Sequence, residues 1–131
     1  MINSCTAHQV ERGFWPVHLI PEAGAEIVRR LMPLDALETA LRQCGIEPRG
    51  RFVPADAVVQ GPDYFDPRGP LRAEWRAGDS IWALVSESGL AAVERTLRAL
   101  DAKGELEGYV ARHDAMRPQI DQITLLYGIK G

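Results

Sequence analysis

Lysine is almost missing from this chain: of 15 basic residues among 131, only Lys103 and Lys130 are lysines and thirteen are arginines. Cysteine is nearly as scarce. Cys5 and Cys44 are too few for a disulfide framework, so the expected compartment is the cytoplasm, with both thiols reduced. No apolar run approaches the roughly 18 to 20 residues of a membrane span, and Met1 to Cys5 lacks the charged start and apolar stretch of a secretory signal. Neither a membrane nor an export route is expected. Excess positive charge is absent too: a net charge of -3 and a pI near 5.6 speak against a dedicated nucleic-acid binder. The chain carries no internal repeat, no G-x-G-x-x-G or G-x-x-x-x-G-K phosphate loop and no G-x-S-x-G nucleophile elbow.

What is present describes a folded domain. Hydrophobic residues make up 46% and charged residues 25%, close to the averages of globular proteins. A chain of 131 residues reads as a single domain, 1–131, with one core. Arginine offers a planar fork for carboxylates and phosphates, but the arginines are scattered along the chain, which fits genomic base composition better than an anion site.

Two helices are expected first. Pro21 to Leu31 places Ile20, Ala23, Ile27, Val28 and Leu31 on one face. Leu34 to Cys44 carries a stripe of Leu34, Leu37, Leu41 and Cys44, with Asp35 as N-cap, Gly45 as left-handed stop, and Leu37 and Leu41 packing on a sheet. Gly50 to Gln60 reads as a strand that Pro54 confines to a sheet edge or a bulge. Ile81 to Val85 is a short apolar run, either a strand or the lead-in to the next helix. That helix is capped by Ser86 or Ser88, has a stripe of Leu90, Val93, Leu97 and Leu100, and is broken by Gly104. A further helix presents Leu106, Tyr109, Val110 and His113 and ends at Pro118. Gln122 to Tyr127 is apolar on both faces, as in an interior strand covered on both sides.

Candidate chemistry is sparse. Cys5 lies three residues before His8, but no second close ligand pair exists, so no metal site is expected, and nothing marks Cys5 as an activated thiol. His113-Asp114 reads as an ordinary core-facing or surface pair. His8, Gln9, Glu11, Arg12 and Trp15 form a dense polar stretch that could line a pocket. The segment 61–82 holds Tyr64, Phe65, Trp75 and Trp82 among fixed turn residues, which predicts an ordered insertion, a lid or binding loop, with Trp75 and Trp82 packed against the following helices.

Several of these stretches carry a family likeness. Cys5-Thr6-Ala7-His8-Gln9-Val10 followed by Phe14-Trp15 resembles the region just after the fifth strand of class I S-adenosylmethionine-dependent methyltransferases. Leu34 to Cys44 closing in Gly45-Ile46 is similar to the helix before their sixth strand. Gly50 to Val59 resembles that strand, and Ile123 to Tyr127 resembles the seventh. Phe65-Asp66-Pro67-Arg68-Gly69-Pro70-Leu71 through Trp75-Arg76-Ala77-Gly78-Asp79-Ser80 looks like an insertion of a bacterial subgroup.

The resemblance implies an α/β fold holding the C-terminal half of the domain. It would be a partial, mixed Rossmann-like sheet with strands corresponding to 5-7-6, packing helices and a long ordered insertion. The family's cofactor loops precede the fifth strand, so no cofactor-binding residue carries over. The resemblance then implies a split or truncated methyltransferase that contributes the substrate side, with S-adenosylmethionine not bound by this chain alone. A small-molecule substrate would sit at the carboxyl ends of the strands, near His8, Gln9, Arg12, Trp15, Tyr64, Arg76 and Asp79. The alternative is a non-enzymatic binding or dimerisation module derived from the same fold. An incomplete sheet implies either a homo-oligomer or a complementary methyltransferase half as partner.

Overall fold

The computed structural model describes residues 1–131 as a mixed α/β structure. Three short strands, β1 (Ile2–Ser4), β2 (Ile46–Phe52) and β3 (Thr124–Lys130), form one sheet in the order β1-β3-β2. Both pairings are antiparallel, so this small sheet is neither mixed nor the Rossmann-like sheet expected: the two strands that run the same way, β1 and β2, are kept apart by β3 and never pair. Between β1 and β2 lie α1 (Ala7–Gly13), α2 (Pro21–Arg30) and α3 (Leu34–Gln43). Between β2 and β3 lie a set of 3-10 turns with the one-turn helix α4 (Ala73–Arg76), then α5 (Glu87–Ala102), α6 (Leu106–Asp114) and α7 (Arg117–Ile120).

Local chemistry explains most boundaries. Helix α1 falls where a polar loop was expected, and its start is a capping box: Thr6 accepts from the amide of Gln9 while Gln9 accepts from the amide of Thr6. Pro33, not Asp35, precedes the first turn of α3; Asp35 sits inside that turn and reaches across to Arg51 on β2, which also holds Glu38 at 2.6 Å. Gly45, at φ +73°, turns the chain directly into β2, so this strand begins at Ile46 and ends before Pro54 instead of spanning Gly50 to Gln60. It is an edge strand with a register shift between Pro48 and Gly50, and Gly50 leaves room for the Tyr127 ring: a Cβ there would lie 2.7 Å from the phenol oxygen. Ser86 caps α5. Pro118 does not close α6 but opens α7, where its missing N–H costs nothing.

The core lies away from the sheet. Trp15, Ile20, Ala23, Tyr64, Trp75, Ile81, Trp82, Val93, Leu97 and Leu106 make one buried cluster. Four of them, Tyr64, Trp75, Ile81 and Trp82, come from 61–82, so that segment is ordered and packed into the centre of the molecule. Trp75 lies flat on Gly69, where any side chain would strike its ring, and donates its Nε1 proton to the carbonyl of Asp63 at 2.6 Å. Ile81 to Val85 is the lead-in of the two expected alternatives, forming a 3-10 turn, Ser80–Leu84.

The sheet is covered on one face only. Alternation along β3 puts Thr124 and Leu126 on the side of α1 and α3, and both are buried. On the other face Tyr127 is 43% exposed, Ile129 59% and, on the neighbouring strand, Phe52 46%. The interior strand expected to be covered on both sides therefore keeps an apolar face in the open. Helix α3 lies over the sheet with Leu41 facing Ile2, Ile46 and Leu126 across a shared cavity, yet it has no fully buried residue and Cys44 is exposed. Between Gly24 and Tyr64 no residue is buried.

Tyr64 joins the pieces. Its hydroxyl accepts from the Trp15 amide at 3.1 Å and donates to Asp114 at 2.6 Å, while the Trp15 indole donates to the Tyr64 carbonyl at 2.9 Å. Replacing Tyr64 with Phe leaves a buried amide and a half-buried carboxylate short of a partner. Tyr64→Phe is expected to lower unfolding stability by about 1–3 kcal/mol, read from the urea midpoint with an unchanged slope.

Candidate functional site

The seven residues expected on the rim do not converge. Gln9 is buried and every polar atom of its side chain is occupied. Its Oε1 accepts from Thr6 N and from Thr124 Oγ1, each at 3.0 Å, and its Nε2 donates to the carbonyls of Ile120 and Ile123 at 3.2 and 3.1 Å. Trp15 and Tyr64 are brought together, but inside the core and hydrogen-bonded to each other. Arg76 is half-buried and donates to the carbonyl of Pro70 at 2.7 Å. Asp79 caps the Ser80–Leu84 turn by accepting from Ile81 N, and burial raises its carboxyl above the usual carboxylate range. Five of the seven thus hold the fold together. His8 and Arg12 remain on the exposed side of α1, one turn apart and facing the same way.

A cleft does open at the carboxyl end of β1. One part, about 380 Å³, is lined by Asn3, Ser4, Cys5, Phe14, Val59 and Ile123, among others. A second, about 260 Å³, shares Cys5 and Leu31 with it and runs past Val28 and Met32 to Leu34. The walls are mostly apolar, with a thiol, a hydroxyl and an amide at one end. Gln122 closes the floor: its Nε2 donates to the Gly13 carbonyl at 2.8 Å and its Oε1 accepts from Val59 N at 2.8 Å, which ties the loop after β2 to the start of β3. Such a cleft suits an apolar body carrying one or two polar groups. Cys5 is a weak nucleophile, because burial and the charge of Asp79 push its thiol up, and no hydrogen bond joins it to the exposed His8. No three or more His, Cys, Asp or Glu side chains group so as to hold a metal ion. Asn3, Ser4 and Val59 had no signal in the sequence; only the pairing of β1 with β3 brings them together.

A second constellation combines residues from distant parts of the chain. His18, in the 3-10 turn Trp15–His18, stacks on His113 of α6 with ring centroids 4.2 Å apart and a 30° tilt. The Tyr109 ring lies 4.4 Å from His113 on its own helix, and Arg112 stands 5.8 Å over Tyr109. Arg12, at the end of α1, is close enough for its charge to act on His18. Burial and then the Arg12 charge lower the proton affinity of His18. Burial, the facing imidazole and Arg112 do the same to His113. The carboxylate next in sequence, Asp114, is turned inward, engaged by Tyr64 and held 3.0 Å from Arg117 Nε.

These depressed histidines set a pH dependence. Both hold protons less firmly in the folded chain than at their ordinary value of 6.5, so the unfolded chain binds more protons just below that pH. Their contribution to stability is present above about pH 6.5 and is lost as pH falls toward and through the folded values. The thermal midpoint should therefore fall between about pH 7 and 5.5, and a His18→Gln/His113→Gln variant should show a flatter profile over that range. Compared with known proteins, the chain matches no family model, no curated protein and no solved structure.

Proposed function

We propose that residues 1–131 form the substrate-side end of a class I methyltransferase-type fold, acting in the cytoplasm, with S-adenosylmethionine held by elements outside them. The observation that carries this reading is the strand arrangement. β3 lies between β1 and β2, with α3 leading into β2, which is the order that the resemblance implies for strands five, seven and six, although both pairings are antiparallel where the resemblance implies a mixed sheet. In this reading the cleft around Asn3, Ser4 and Cys5 lies where strand carboxyl ends meet a ligand. The methyl acceptor would be a small molecule with an apolar body, enclosed by Phe14, Leu31, Val59 and Ile123.

The residues present do not fit the cofactor itself. The helix that follows β1 has its first amides engaged in its own Thr6–Gln9 capping box, and no glycine-rich turn opens any other helix. A second reading, a binding or dimerisation module derived from this fold, is favoured by one feature. β1 pairs with β3 alone, so its outer edge carries free backbone groups, and the apolar face of Tyr127, Ile129 and Phe52 lies open along β3 and β2.

Calorimetric titration of S-adenosylmethionine into the isolated chain is expected to give no saturable binding, and sedimentation of the same sample is expected to give a two-fold dimer through the β1 edge. One-to-one cofactor binding by a monomer would overturn the proposal. A dimer that a proline at Asn3 leaves intact would place the interface elsewhere.

A further inference from the structure

The stacked histidines lie outside the cleft and have no part in the proposal above. They stack on the surface between α1, the Trp15–His18 turn and α6, with His18 and Arg12 and Arg112 exposed and His113 half-buried. Charges that face them are all of one sign: Arg12 from α1, Arg112 from α6, and each imidazole toward the other when protonated. The ten arginine–carboxylate bridges of the chain use Arg29, Arg30, Arg42, Arg51, Arg68, Arg72 and Arg117, and leave Arg12 and Arg112 out. Stacking two imidazoles next to two guanidiniums is unfavourable for a protein that must carry them alone, since like charges at this distance repel. An anion placed among them reverses the sign of every one of those interactions.

We infer that the surface formed by Arg12, His18, Arg112 and His113 binds a dianionic phosphate group, free or as a phosphomonoester. Two guanidinium forks supply directed donors for phosphate oxygens, and each imidazole adds one N–H. A phosphomonoester, whose second ionisation falls near pH 6, or free phosphate, about one unit higher, suits a pair of histidines that can take up protons as the anion binds. Tyr109 fixes the ring of His113 from behind, so the site is partly organised before the anion arrives. Asp114 does not compete, because Tyr64 and Arg117 already hold it.

The test follows the imidazole Cε1–H resonances of His18 and His113 while inorganic phosphate, or glycerol 3-phosphate in a parallel titration, is added at constant ionic strength. Both resonances should shift saturably, and both apparent pKa values should rise in the bound state. An Arg12→Gln/Arg112→Gln variant should bind at least about tenfold more weakly, and Arg12→Lys/Arg112→Lys, which keeps the charge but not the fork, should bind with intermediate affinity. Both arginines are exposed, so these variants leave the core untouched. Tighter binding of the ester than of the free ion would assign the site to a phosphomonoester, and the reverse order to the free ion. Shifts no larger than those with chloride, or a glutamine variant that binds phosphate as well as the native chain, would overturn the inference. Neither outcome bears on cofactor binding, which the calorimetric titration reads separately.

Discussion

One hydroxyl joins three parts of this fold. Tyr64 belongs to the segment between β2 and α5, Trp15 to the turn after α1, and Asp114 to the end of α6; the phenol oxygen is shared among them. Its single proton goes to Asp114, the closer acceptor, which leaves the Gly13 carbonyl to Gln122. Burial and that carboxylate hold the phenol far above its ordinary range, so it stays neutral and keeps donating at any pH the protein survives. Arg117 completes the arrangement from below. It pairs with Asp114 and lies over the rings of Tyr64 and Phe65, at 5.8 and 5.0 Å, so the half-buried carboxylate has a charged partner as well as the phenol.

The same arrangement shows what the sequence could and could not disclose. Amphipathic helices were legible, because a stripe such as Leu90, Val93, Leu97 and Leu100 depends only on local spacing, and so were the glycine stops at Gly45 and Gly104. The aromatic density of 61–82 rightly announced an ordered segment. Its role was less legible, because a run of tryptophans does not say whether it covers a core or forms one; here Trp75 and Trp82 are the core. β1 was hidden by its length, three residues being too few to show alternation, and α1 by the polar residues of its capping box. Gln9 shows why polar residues mislead. A glutamine in a polar stretch has the same signature whether it faces a ligand or, as here, four backbone and side-chain partners. The stacking of His18 on His113 could not have been read at all, since it joins positions 95 residues apart through tertiary packing.

Polar and ionic contacts are divided by depth. Three arginines bridge glutamates one turn away on their own helices, Arg29 and Arg30 with Glu26 and Arg42 with Glu38, and such surface pairs contribute little each. Arg68 is more extended: it ties the segment before α4 to Asp101 of α5 and Glu107 of α6, joining three elements at the surface. Buried polar groups do the structural work with amides. Gln9 and Gln122 both clamp the start of β3 to α1, and as neutral groups they carry no charge that burial would penalise.

The absence of any buried residue between Gly24 and Tyr64 has a thermodynamic consequence. Free energies of local opening follow the apolar contacts that must be broken, and this stretch, with α3 and β2 inside it, has few to break. Its restraints are the β2–β3 ladder, the Arg51 bridges, the packing of Ile27 and Val58 against the core, and two amides of the following loop held by Asp121 and Gln122. Local opening of this arm is therefore expected to cost less than opening of the helical body around Trp15 and Leu97. Stability is then distributed unevenly along the chain, and the most resistant part is the one that holds the tryptophans.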